Sequence, residues 1–120
     1  VRSELQSYAW PQRAQSGQGR APLPRILGFV PDIDQYMGAA DCLVTKAGPG
    51  SIAEAMIKGL PCLLTSFVPG QEEGNVTFVT DGGAGHYVPD TQPEVVAETV
   101  AAWLADPGLL TSMSRRARRL

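Results

Sequence analysis

The segment VTKAGPGSIAEAMIKGL at 44–60 combines the residue types that hold a phosphate. Gly48-Pro49-Gly50 follows a run suited to a strand and precedes a helical pattern opening near Ser51. Backbone N–H groups at such a helix start have no partner inside the helix, and with the helix dipole they attract an anion. Glycine at 48 and 50 lets a phosphate approach the backbone with no Cβ in the way. The spacing is not that of a Walker A loop, which needs Gly-Lys-Ser/Thr, and it lacks the GxGxxG pattern of dinucleotide sites. Glu54, one turn into the helix, carries a carboxylate able to accept two hydrogen bonds from a ribose diol. Ser51 and Glu54 also match an S-x-x-E capping box, which would explain both as helix-start chemistry. Spacing alone leaves both readings open.

A second polar cluster, PGQEEGN at 69–75, also follows a strand-like run, so both loops are expected on one edge of a sheet. Gln71, Glu72, Glu73 and Asn75 bring donors and acceptors close together, as recognition of sugar hydroxyls requires. Taken alone, the same residues read more simply as a solvated turn, with Glu72 and Glu73 at a helix amino end. The only histidine, His86, falls in a strand-like run and reads as structural. Cys42 and Cys62 sit in apolar runs without metal-ligand spacing; they read as buried thiols, with a lean towards a reducing compartment.

The elements that must position these residues follow from periodicity. Residues 1–12 read as the end of a helix, and 13–24, rich in Gly and Pro, as a loop or insertion. Short apolar runs at 26–30, 41–45, 61–67 and 84–88 read as strands. Helices are expected over 33–40, with Asp32 as cap and Ile33, Tyr36, Met37 and Ala40 on one face; over 51–58, stopped by Gly59; and over 74–80, ended by Gly82 and Gly83. Thr91 and Glu94 form a second capping box, opening a helix with Val96, Val100, Trp103 and Leu104 inward. Asp106-Pro107 is a cap followed by a first-position proline, opening a last helix towards Leu120. Strands alternating with helices of this length imply an α/β fold with a parallel sheet covered on both faces.

Composition narrows the partners. The 120 residues hold 10 Lys and Arg against 12 Asp and Glu, which excludes an extended polybasic nucleic-acid binder. At 43% hydrophobic residues the chain can bury a core, and no apolar run approaches the roughly 18 residues that cross a bilayer. Arg115, Arg116, Arg118 and Arg119 close the last helix, where cations suit the dipole. A solvated helix tail is the simpler reading, and contact with anionic lipid headgroups is the sharper one.

Together GFV at 28–30, TKAGPGSIAEAMIKGLP at 45–61 and PGQEEGN at 69–75 closely resemble the carboxyl-terminal domain of the monogalactosyldiacylglycerol synthases, plastid enzymes of glycosyltransferase family 28. The resemblance covers about Arg25 to Leu120, with 1–24 as the end of a preceding helix and a local Gly/Pro-rich loop. It implies an incomplete, Rossmann-like carboxyl-terminal half of a GT-B glycosyltransferase. It further implies uracil contacts at the backbone of Phe29 and Val30, diphosphate contacts at Gly48, Pro49, Gly50 and Ser51, and ribose contacts at Glu54. Gln71 and Glu72 would then meet the galactose, with Asn75 close by. The expected reaction is inverting transfer of galactose from UDP-galactose to diacylglycerol at the plastid envelope. No metal is expected in the donor site, because the helix start would stabilise charge on the departing UDP. No catalytic base is expected in this chain; the family's comes from an amino-terminal domain. Rival readings are a related transferase using UDP-glucose or UDP-N-acetylglucosamine, and a nucleotide-binding module performing no transfer.

In the strand order 3-2-1-4-5-6, the run at 25–30 would be the third strand and 41–45 the fourth. The first two would lie before residue 1, so a gap or a rearranged sheet is expected here. Continuous pairing of 25–30 with 41–45 would contradict this order.

Overall fold

The computed structural model describes residues 24–120 and, ahead of them, two short strands. The helix expected over 1–12 lies outside the described residues. Strands β1 (Ala14–Gln15) and β2 (Gly19–Arg20) pair antiparallel, Ala14 opposite Arg20, so the segment read as a loop carries a minimal ladder. Residues 24–30 hold no regular secondary structure, and the strand expected at 26–30 is absent. A strand forms when its backbone groups enter a ladder. The ladder beside 41–45 is made with the following strand alone among the described residues.

Residues 33–120 form one compact unit. It runs α1 (Ile33–Ala39), β3 (Leu43–Thr45), α2 (Pro49–Lys58), β4 (Cys62–Leu64), α3 (Glu73–Asp81), β5 (Gly85–Tyr87), α4 (Pro93–Leu104) and α5 (Pro107–Arg119). The three strands are parallel in the order β3-β4-β5, with Thr45 opposite Leu64 and Leu64 opposite Tyr87. This βαβαβ arrangement is the one expected for the fourth, fifth and sixth strands of the doubly wound order.

The middle strand is the core. Cys62, Leu63 and Leu64 are wholly buried, as a parallel strand covered on both faces must be. Cys62 and Leu64 pack with Ile52, Ala55 and Met56 of α2, Val79 of α3 and Ala117 of α5. Leu63 belongs to a second cluster with Trp103 of α4 and Met113 of α5. Full burial of each such side chain is worth about 1.5–3 kcal/mol. Burial pushes the Cys62 thiol up to about 12, with a smaller contribution from Cys42. β5 comes close because Gly85 faces β4: a Cβ there would run into the Cys62 carbonyl. Two helical faces are less covered than their spacing suggests. Ile33 and Tyr36 of α1 remain exposed, with only Met37 buried, and Leu104 of α4 is exposed where Trp103 is buried.

Helix ends explain two further departures. α2 begins at Pro49 with Gly48 as its cap, and no side chain caps it. α4 begins at Pro93 after Gln92, again with no side-chain cap. Both expected capping boxes, Ser51 with Glu54 and Thr91 with Glu94, are therefore absent. In each case proline, pre-set for the first helical position, fixes the start. Ser51 becomes the third helical residue, and Thr91 falls outside. The third start follows its sequence signal: Asp106 Oδ1 accepts from the Leu109 N–H at 3.0 Å, with Pro107 first in α5. α2 ends on Gly59 at φ 67°, where the Leu60 N–H reaches the Ala55 carbonyl at 2.8 Å and the Gly59 N–H that of Met56 at 3.1 Å. This Schellman closure favours glycine.

Candidate donor site

Parallel pairing sets the ends of β3 and β4 side by side, and the loops leaving them stay joined. The Thr65 N–H donates to the Thr45 carbonyl at 3.0 Å, and the Ala47 N–H to the Ser66 carbonyl at 2.8 Å. Beyond that backbone zip, two side chains cross from the second loop to the first. Asn75 Nδ2 donates to the Ala47 carbonyl at 3.0 Å. Glu72 Oε2 accepts from Lys46 Nζ at 3.3 Å, while its Oε1 accepts from the Val68 N–H at 2.9 Å. Glu72 is buried. The Val68 N–H, and less strongly Lys46, hold its carboxyl below the ordinary glutamate value against the opposing effect of burial.

The start of α2 faces this cross-braced edge with its own backbone. Pro49 has no N–H, and the Ile52 N–H closes the first turn on the Gly48 carbonyl at 3.1 Å. The N–H groups of Gly50 and Ser51 meet no acceptor among the described residues. Lys46 folds over the turn: its Cε and Nζ lie 3.6 and 3.7 Å from where a Cβ on Gly48 would stand. Glu54 is half-buried and makes no hydrogen bond or ion pair with any described residue, as befits a carboxylate without a capping role. Ser51 and Gln71 are exposed, and their side chains are likewise unengaged. The two joined loops and the helix start between them carry two backbone donors, an ammonium, a carboxylate and an amide: chemistry suited to a phosphorylated, hydroxyl-bearing ligand.

The sequence-derived candidates thus separate into groups. Gly48, Pro49, Gly50, Ser51, Glu54, Gln71, Glu72 and Asn75 all belong to the two joined loops and the helix starts beside them. Glu72 and Asn75, read as sugar contacts, are also braces within the fold. Phe29 and Val30 belong to the separate segment before Ile33; Phe29 is 94% exposed and Val30 half-buried. Lys46, which the sequence reading left without a role, is the cation of the site. The signal available was one lysine between a strand and a glycine turn.

His86 is exposed, with its ring 5.6 Å from that of Trp103. Of the terminal arginines, Arg118 lies beside Gly59 and Arg116 beside Gly83, each in the space a Cβ would need. Both thus sit at carboxyl ends of neighbouring helices, where a cation is favoured. Between α2, α3 and the end of α5 runs a groove of about 630 Å³, lined by Ile52, Met56, Phe78 and Arg118 among others. Among the described residues no cluster of three His, Cys, Asp or Glu could hold a metal ion, and no helix is long and apolar enough to cross a membrane.

The chain belongs to the group 1 glycosyl transferases, whose family model matches residues 24–120, and its parallel βαβαβ sheet with an open helix start at the carboxyl edge accords with that family. The resemblance read from the three motifs is met by curated relatives. A probable monogalactosyldiacylglycerol synthase 2, chloroplastic, from Oryza sativa subsp. indica is 48% identical over 86% of this chain and 19% of its own length. The monogalactosyldiacylglycerol synthase of Spinacia oleracea is 51% identical over 66% of this chain and 15% of its own. Monogalactosyldiacylglycerol synthase 1 of Arabidopsis thaliana is 39% identical over 100% of this chain and 20% of its own. The chain therefore spans about a fifth or less of the length of these relatives. Among solved structures, the glycotransferase of kitacinnamycin superposes with a TM-score of 0.60 at 23% identity, over 76% of this chain and 24% of that one, a likeness of fold.

Proposed function

We propose that this chain is the donor-binding portion of a UDP-galactose:diacylglycerol galactosyltransferase. The observation that carries the reading is the free Glu54 carboxylate one turn behind the open amides of Gly50 and Ser51, beside the braced loop of Gln71, Glu72 and Asn75. The diphosphate sits on the start of α2 at Gly48, Pro49, Gly50 and Ser51; Glu54 takes the ribose hydroxyls; Gln71, Glu72 and Asn75 face the galactose. The names of the relatives support galactosyl transfer to diacylglycerol and a chloroplast setting.

In mechanism, the chain's part is to hold UDP while the bond from its terminal phosphate oxygen to the sugar carbon breaks. Negative charge grows on that oxygen, and preorganised N–H donors and a helix dipole stabilise it without rearranging. A divalent ion is not needed for that step, so chelation is expected to leave donor affinity unchanged. The proton of the acceptor hydroxyl must pass to a base, and we assign that base to the part of the protein outside this chain. The protein works at the periphery of the plastid envelope, with Arg115 and Arg119 the arginines free to meet anionic lipid.

Isothermal titration with UDP-galactose, UDP-glucose and UDP-N-acetylglucosamine tests the reading. UDP-galactose is expected to bind tightest, and Glu54→Ala to weaken it at least tenfold, since hydrogen bonds to a charged group are worth about 1.5–3 kcal/mol. A tighter UDP-glucose complex would reassign the donor, and no binding of any of the three would defeat the reading.

A further inference from the structure

Lys46 occupies an unusual position for a salt-bridged residue. Its side chain is 60% exposed, and its bond to Glu72, at 3.3 Å, is longer than the 2.7–2.9 Å of a strong charge-assisted pair. Its partner is 9% exposed and has a second, shorter bond of 2.9 Å from the Val68 N–H. Glu72 therefore keeps a bond without Lys46, whereas among the described residues Lys46 is held by Glu72 alone. The lysine end of the pair is exposed to solvent and Glu72 keeps its bond from the Val68 N–H, so the ammonium can leave when another anion takes it. It has somewhere to go: Nζ already lies over Gly48, next to the helix start whose Gly50 and Ser51 amides are unpartnered.

We propose that Lys46 is an exchangeable phosphate ligand, parked on Glu72 when the donor site is empty and transferred to the diphosphate when UDP binds. The proposal rests on the donor-site reading above and adds to it a residue and a competition. The two anions, carboxylate and diphosphate, share one cation. A diphosphate carries more charge than a carboxylate, so it wins the lysine when present. The exchange opens Glu72 Oε2 towards the side assigned to the hexose while Val68 keeps the carboxylate in register.

Competition makes an expectation that a purely structural ion pair does not. Removing the competitor must strengthen UDP binding, and removing the lysine must weaken it. Titration of the chain with UDP and with uridine, in the wild type, Lys46→Met, Glu72→Gln and the double variant, reads this directly. Glutamine keeps an oxygen for the Val68 N–H, so the loop is retained. Lys46→Met is expected to weaken UDP about tenfold, a change of about 1.4 kcal/mol, and to leave uridine unchanged. Glu72→Gln is expected to tighten UDP about threefold, and the double variant to match Lys46→Met. A wild type that binds UDP, with Lys46→Met indistinguishable from it or Glu72→Gln no tighter, overturns the exchange and leaves the donor site standing. A wild type that takes up no UDP removes both.

Discussion

The two loops that leave the carboxyl edge of the sheet solve different problems. The first, Lys46 to Gly48, is short and turns straight into α2, leaving backbone amides open at Gly50 and Ser51. The second, Thr65 to Glu72, is longer and bends back on itself, with the Glu72 and Gln71 N–H groups both donating to the Val68 carbonyl. Two side chains brace it: Glu72 closes the loop, and Asn75 in the first turn of α3 reaches across to Ala47. A binding surface made of backbone needs a frame to hold it, and here the neighbouring loop supplies the frame. Glu72 and Asn75, two of the residues proposed to meet the sugar, are thus also what holds the first loop in place.

The sharpest way to break that comparison is Asn75→Ala. It removes the one side-chain bond from α3 to the first loop, and the buried Ala47 carbonyl loses its partner. Loss of such a bond costs about 1–3 kcal/mol, and we expect UDP affinity to fall about tenfold with the melting temperature lowered by several degrees. If affinity holds while stability drops, the second loop is a frame for the fold and not for the site.

A smaller effect follows from acid. Because the folded Glu72 carboxyl lies below its ordinary value, its contribution is complete above the unfolded carboxyl value of about 4.3 and is lost as pH falls through the folded one. Urea midpoints for the wild type should therefore decline more steeply below about pH 4.3 than those for Glu72→Gln. Parallel curves would detach Glu72 from loop closure. The smallest effects separate real helix caps from apparent ones. Asp106→Ala should cost about 1 kcal/mol in denaturant titration, the usual value of a lost cap. Ser51→Ala, at the third position of a proline-started helix, should stay within about 0.5 kcal/mol, the range of an ordinary surface change.

Much of this architecture is legible from local pattern. Apolar runs and glycine stops mark β3, β4, β5 and the helices between them, because each is specified by residues next to one another. Asp106 is legible for the same reason. The misreadings have two causes: competition between local signals, and the lack of a distant partner. At α2 and α4 a proline outweighs a neighbouring Ser or Thr, moving the start by one or two residues. At 26–30 the apolar run looks like a strand, but a strand also needs a ladder, which no local pattern encodes. The ties of the site span 26 and 28 residues, Lys46 to Glu72 and Asn75 to Ala47, so only the fold discloses them. The family resemblance pointed to these two loops, yet it did not distinguish a residue that would meet ligand from one that braces the loop.

The arginines at the end of α5 differ in what they lie against. Arg116 and Arg118 reach back over Gly83 and Gly59, fastening the last helix to the tails of α3 and α2. Arg115 and Arg119 share a hollow with Thr111, Ser114 and Arg118 but do not lie against those glycines. Neutralising all four would confound adhesion to a lipid surface with loosening of the helix that carries them. Changing Arg115 and Arg119 alone alters what the outside world meets, and changing Arg116 and Arg118 alone alters how the domain is buckled together.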